Sequence, residues 1–495
     1  MNPRLLSDAQ LDSLANVADD PTDQVIPRLL RELPVNPSQQ AQFGGLIPVI
    51  SRLLREVPVN PDPQAQFGGL IAAIMGTGND TVKGFLGTPA STDENGKPIK
   101  PDPGAADDPA PDSMELFSKV IDREMVHHAQ HFFEENGIAI ITALFHAALP
   151  EAYRGMRGVQ VLGLTGEFVN NWTRRIQLTG QFLVTVLSPD PDLHRQGVTS
   201  LHPGRAGANA ARRVRLRHAA VRWLLDQQYP GDPFEKLFVE SIANDDQGNR
   251  PSIWSVRMHQ INQESPASRP LNQEDLLGTL GTFTTVTFEA LEKMGIPFND
   301  DDRTAYYHLW NIVGMHLGIG DLRAAGPGGK VLDPPLPERW STNAIFPLGP
   351  DEMDALFARI RKRLGGRTEE GIRLTKTLVQ EMSRPLPGPM QGAPAFLVRY
   401  FLGDAAADQL EVDAGGYGQL FVRRTGLLGQ LAKRTRMNPF GQVTVTALSS
   451  AITRYALRAY ITQTQGVDPG FTIDPGIANR WGIQIGPQIS APVGG

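Results

Sequence analysis

Cysteine is absent from this 495-residue chain. That absence excludes disulfides, thiolate metal sites, iron–sulfur clusters, a cysteine nucleophile and a thiolate-ligated haem. An excess of positive charge is also missing, since 47 Lys and Arg stand against 53 Asp and Glu for a formal net charge of −6. No basic run is long enough to follow a phosphate backbone, so nucleic acid is not an expected partner. No stretch of about eighteen apolar residues occurs, and no transmembrane segment is expected. The first twenty residues lack the apolar core of a secretory signal, which makes the cytoplasm the expected location.

What is present is the composition of a globular protein, 40% hydrophobic and 20% charged. The 50 glycines and 40 prolines concentrate in an N-terminal arm, in linkers and in the tail. The arm, residues 1–74, holds a tandem duplication in which 26–49 and 50–73 share 18 of 24 aligned residues. Two units are too few for a solenoid. They suit a paired clamp on the main domain or on another subunit, so a homo-oligomer through the arm is one expected association. Residues 75–112 read as an extended linker. Helical periodicity then dominates residues 113–435, and residues 436–495 read as a C-terminal helix and a Gly/Pro-rich irregular tail. The expected fold is mainly α: one large, globin-like helical domain carrying irregular extensions.

Chemistry concentrates on the stretch from Ala211 to Leu225. It is rich in Ala, Leu and Arg and free of Gly and Pro, which makes it a strong helix former. Val214, His218, Val221 and Leu225 fall on one helical face. Arg215 and Arg222 flank His218 at i−3 and i+4. An imidazole on an apolar stripe beside two guanidinium groups suits haem, whose iron takes an axial histidine and whose propionates take arginine. The same pattern fits a core histidine on an Arg-rich helix, and spacing alone does not choose.

Two other segments carry weaker signals. Glu124, His127 and His131 sit at i, i+3 and i+7, so one helical face presents three metal-ligand types. The second Glu-x-x-His of a di-iron bundle is missing, and an exposed His-rich face explains the spacing equally. Arg175, Leu178 and Thr179 also share a face. An arginine and a hydroxyl beside a leucine could line a pocket for a small polar species, or Thr179 could bond within its own helix.

Taken in order, these segments resemble the haem b oxygenase family of latex-clearing (rubber oxygenase) and mpaB-type enzymes. Arg215-x-x-His218-x-x-x-Arg222 matches the family's axial-histidine helix. Arg175-x-x-Leu178-Thr179 is similar to its distal Arg-x-x-Lys-Thr, with leucine in the lysine's place. The stretches Pro270–Phe283, Tyr306–Gly318 and Leu386–Asp404 resemble its later helices, so the similarity runs from about 115 to about 430. The resemblance implies a domain folded around a buried haem b, with His218 as the ligand of the haem iron. It implies Arg215 and Arg222 as supports of that helix and partners of the propionates. Arg175 and Thr179 would then lie on the dioxygen side, and Glu167 is the residue nearest in sequence to the family's distal glutamate. Leu178 can neither ligate iron nor move a proton, which implies a more open distal pocket.

The implied activity is oxidation by dioxygen, including C=C cleavage, of an apolar, lipid-like olefinic or isoprenoid substrate. A helical haem carrier or scaffold, associating through the repeat arm without catalysis, is the alternative.

Overall fold

The computed structural model describes residues 6–16, 120–165, 172–226, 252–261, 269–319, 348–413, 447, 450–455, 457–458 and 473–483. The duplicated arm segments and the 75–112 linker lie outside these residues. The described residues are helical and contain no strand, as a mainly α fold requires. An isolated antiparallel bridge pairs Gly155 with Gly365.

A short helix α1 (Asp8–Ala15) begins at a capping box. There Ser7 Oγ accepts from the Gln10 amide while Gln10 Oε1 accepts from the Ser7 amide, at 3.2 and 2.8 Å. The central helix α2 (Arg123–Ala143) starts where Asp122 caps the Met125 amide. It continues without interruption through a π-helical turn, Leu144–Ala148, into α3 (Leu149–Tyr153). Gly137 does not break it, because the Trp481 ring occupies the space a Cβ would need. By length and composition this 31-residue helical run could cross a membrane, yet 78% of its most apolar window is buried in the protein, which makes it a core helix.

The chain then forms α4 (Gly158–Thr165), α5 (Trp172–Leu187), α6 (Pro191–Arg195), α7 (Ala206–Leu225) and α8 (Ile253–Gln260). Two helices follow, α9 (Gln273–Phe283) and α10 (Thr285–Met294), parted at Thr284. They are followed by α11 (Asp300–His316), α12 (Pro350–Leu364), α13 (Glu369–Ser383) and α14 (Ala393–Leu402). Gly403, at φ +84°, turns the chain into α15 (Asp404–Gln409), a conformation that favours glycine. Last comes α16 (Pro475–Arg480).

The core forms where α2 packs on α10 and α11. Phe132, Phe288 and Tyr306 meet there, with ring centroids 5.4–6.3 Å apart. This packing places the functional region, because α11 also supports α7, and α7 carries α5 on another side.

Candidate functional site

The two helices singled out by sequence are neighbours: α5, bearing Arg175, Leu178 and Thr179, packs along α7, bearing Arg215, His218 and Arg222. Both are uninterrupted helices because neither contains proline; Gly180 is tolerated within α5. Leu178 and Thr179 are half-buried, as is His218. The Arg175 side chain and Glu167 lie outside the described residues. The structure thus places these two helices side by side.

The arginines flanking His218 are more buried than the histidine itself, Arg222 being 1% exposed and Arg215 8%. Burying a guanidinium is costly unless its N–H groups find acceptors. Arg222 reaches across to the Leu271 carbonyl, just ahead of α9. Arg212 and Arg215 place their charges near His316 of α11. His316 is buried, lies 2.8 Å from the Leu201 carbonyl through Nε2, and is pushed down to about 3. Burial is the main cause, and the two arginine charges add to it. His316 is therefore neutral, and its Nε2–H donates to Leu201. Spacing alone puts both arginines beside His218; in three dimensions Arg222 also ties α7 to the start of α9, and the charge of Arg215 is felt by His316 on α11.

A single imidazole on a packed helix, buried guanidinium groups on either side of it and a half-buried hydroxyl on the facing helix fit an iron porphyrin. The ring nitrogen would serve the metal, the guanidinium groups its carboxylates and the hydroxyl a bound small molecule. The Glu124/His127/His131 trio does not assemble. His131 is exposed and faces Glu134 and Glu135, and among the described residues no three His, Asp or Glu side chains converge on a metal position.

A second polar centre escaped the sequence reading. Glu274 is fully buried and accepts from Arg157 at 2.5 Å and from Arg363 at 2.9 Å. Its neighbour Asp275 accepts from Asn272 through Oδ2 at 2.8 Å. Asp275 Oδ1 lies 3.4 Å from Arg157 and makes no hydrogen bond among the described residues. Burial raises the Asp275 pKa to about 6 against the pull of Arg157. Asp275 borders a cavity of about 60 Å³ together with Glu151, Thr279, Thr282, Phe357 and Arg361. In sequence, Glu274 and Asp275 look like ordinary acidic residues of a helix's first turn. Only their burial and their arginine partners, all distant in sequence, set them apart. His146, on the π turn, is equally hidden in the sequence. Its Nδ1 lies 3.0 Å from the Thr142 carbonyl and burial lowers it to about 4.

A large helical domain with an imidazole-bearing helix packed against a hydroxyl-bearing one is the class that fold and site define. A family model described as ER-bound oxygenase mpaB/B'/Rubber oxygenase, catalytic domain, matches residues 133–429, and the chain belongs to that family. It is similar to the Rubber oxygenase of Streptomyces sp. (strain K30), with 24% identity over 202 residues. That match covers 40% of this chain and 36% of the relative, so the chain spans about a third of the length of the curated protein it matches. Among solved structures it is similar to Latex Clearing Protein LCP in the closed state, with 18% identity and a TM-score of 0.47, over 81% of this chain and 92% of that one.

Proposed function

We propose that this protein is a haem b-dependent oxygenase that uses dioxygen to oxidise an apolar olefinic or isoprenoid chain, including by C=C cleavage. The packing of α5 on α7, within a chain of the mpaB/rubber oxygenase family, carries this reading. Haem, when bound, would supply the iron that activates dioxygen. His218 would hold that iron through one ring nitrogen. Arg222 and Arg215 would fix the helix beneath it and balance the propionates.

On the facing helix, the Thr179 hydroxyl would donate a hydrogen bond to a small oxygen species, and Arg175 would add charge on the same side. Leu178 contributes an apolar wall and no proton, so it would hold a hydrocarbon chain near the site and leave proton delivery to Thr179, Glu167 or water. The substrate class rests on that apolar wall and on the family.

The test is an absorption spectrum of the haem-loaded protein beside that of His218→Ala. A Soret band that the variant weakens supports the reading, and a band indifferent to His218 overturns it. Dioxygen uptake with unsaturated lipids then separates an oxygenase from a haem carrier, which would show the band and no turnover.

A further inference from the structure

The segment Arg269–Asn272, just ahead of α9, is gripped by two helices that lie far from it in sequence. The end of α7 meets it at two points. Arg222 donates to the Leu271 carbonyl at 3.4 Å. Asp226, whose amide donates to the Arg222 carbonyl at 2.9 Å, accepts from the Arg269 guanidinium at 3.3 Å. From the other side, the Arg269 amide donates at 3.0 Å to the carbonyl of Ala15, the last residue of α1. That carbonyl is one of those a helix C-terminus leaves without an intrahelical partner.

The segment is stiff enough to pass position from one helix to the other. Pro270 fixes its own φ. Asn272 donates to the Arg269 carbonyl at 2.8 Å, and its Oδ1 caps α9 by accepting from the Asp275 amide at 2.9 Å. Leu271, at φ +50°, keeps its conformation only while its surroundings hold it. On one side of that hold is α1, which packs on α9 with Leu6, Leu11 and Leu14 buried. Arg359 adds a bond to Asp8 at 2.8 Å. Eight residues are too few for a helix to persist alone in water, so α1 is helical because it is docked and opens as a unit when docking fails.

We propose that Arg269 is a positioning residue for the His218 helix and that α1 is the clasp that holds Arg269 in place. The pair of Arg269 with Asp226 is partly exposed and weak by itself. Its weight comes from sharing one stiff segment with the Arg222–Leu271 contact, which fixes the end of α7 at two points. His218 lies eight residues before Asp226, about 12 Å along the helix. If His218 is the haem ligand, the reading on which this role rests, then undocking α1 frees the end of α7 and weakens the hold of that imidazole.

Hydrogen exchange of the full-length, haem-loaded protein tests this, together with the rate at which haem passes to a scavenger protein. Leu11→Asp undocks α1, whereas Arg269→Ala removes the tie to Asp226 and keeps the backbone bond to Ala15. Each variant should speed both exchange at 219–226 and haem release by about fivefold or more, the lower end of ordinary coupling between sites, and leave α2 as protected as in the wild type. Exchange within α1 itself should quicken only in Leu11→Asp. Asp226→Asn should match Arg269→Ala, and Arg269→Lys, which keeps a charge for Asp226, should recover most of the loss. Arg367→Ala, which breaks a surface pair with Glu411 elsewhere, should change neither readout.

Faster exchange confined to α1 in Leu11→Asp would overturn the proposal, and so would an equal rise through α2, which marks general unfolding. Haem release indifferent to Arg269→Ala while α7 exchanges faster would overturn it too. A Soret band that ignores His218 removes the haem reading instead, and exchange at 219–226 still decides whether α1 and Arg269 hold α7.

Discussion

Arg222 Nη1 donates to the carbonyl of Leu271 at 3.4 Å, and Leu271 holds a φ of +50°. A branched side chain in the left-handed region is strained by about 1–3 kcal/mol and persists only where its surroundings hold it. The contact joins the His218 helix to the first turn of α9, where Glu274 and Asp275 are buried. Arg222 therefore serves the fold as well as any ligand of α7. Replacing Arg222 with Met, which keeps bulk and removes the donor, should destabilise the protein by about 1–3 kcal/mol and should lower haem retention. Urea midpoints and haem content after gel filtration measure the two effects.

Glu274 satisfies two arginines from a fully buried position. Glu274→Gln should cost about 3–5 kcal/mol, because the buried Arg157 loses its main counter-charge, while the more exposed Arg363 keeps Asp12. Glu289 also receives two bonds from one arginine, Arg361, at 3.1 Å each, but its side chain is 42% exposed. Glu289→Gln should cost no more than about 1 kcal/mol. Equal losses in the two variants would contradict the burial argument.

Acid stability should carry two opposing signatures. The folded pKa of Asp275, about 6, lies above its ordinary value of 3.8. Its contribution is thus fully present below pH 4 and is lost as pH rises through 6. His146 and His316 fall to about 4 and about 3 from 6.5. Their contribution is present above pH 6.5 and is lost as pH falls toward 4 and below. Two groups outweigh one, so stability should fall on acidification from pH 6.5 to 4. Asp275→Asn should steepen that fall while stabilising the protein above pH 6, as measured by chemical denaturation across the range.

Gly137 is fixed by close approach. Gly137→Ala would drive a methyl group into the Trp481 ring, whose Nε1 donates to the Glu134 carbonyl at 3.0 Å. The expected cost is about 1–3 kcal/mol, the usual range for overpacking. Trp481 fluorescence should shift red as the C-terminal segment leaves α2.

Helical periodicity between residues 113 and 435, and the helix around His218, were legible in the sequence, because a continuous apolar stripe needs only local spacing to be seen. Boundaries at Gly137 and Thr284 were not legible. Gly137 looks like a break until Trp481 fills its empty side, and Thr284 looks helical until α9 and α10 part there. Of the candidate site, the helix neighbourhood of His218 was visible, but the acceptor that Arg222 meets on Leu271 was not. An arginine's reach spans several helices, and only packing decides which acceptor it meets.

By itself the sequence determined the helical class, the exclusion of thiol chemistry and the imidazole between two guanidinium groups, since each follows from residue type and local period. Tertiary structure alone decided that α5 lies on α7, that Glu274 and Asp275 are buried among arginines, and that Arg269 joins α1 to the end of α7. Those are long-range pairings, and they come from how amphipathic faces share one core, which no local spacing encodes.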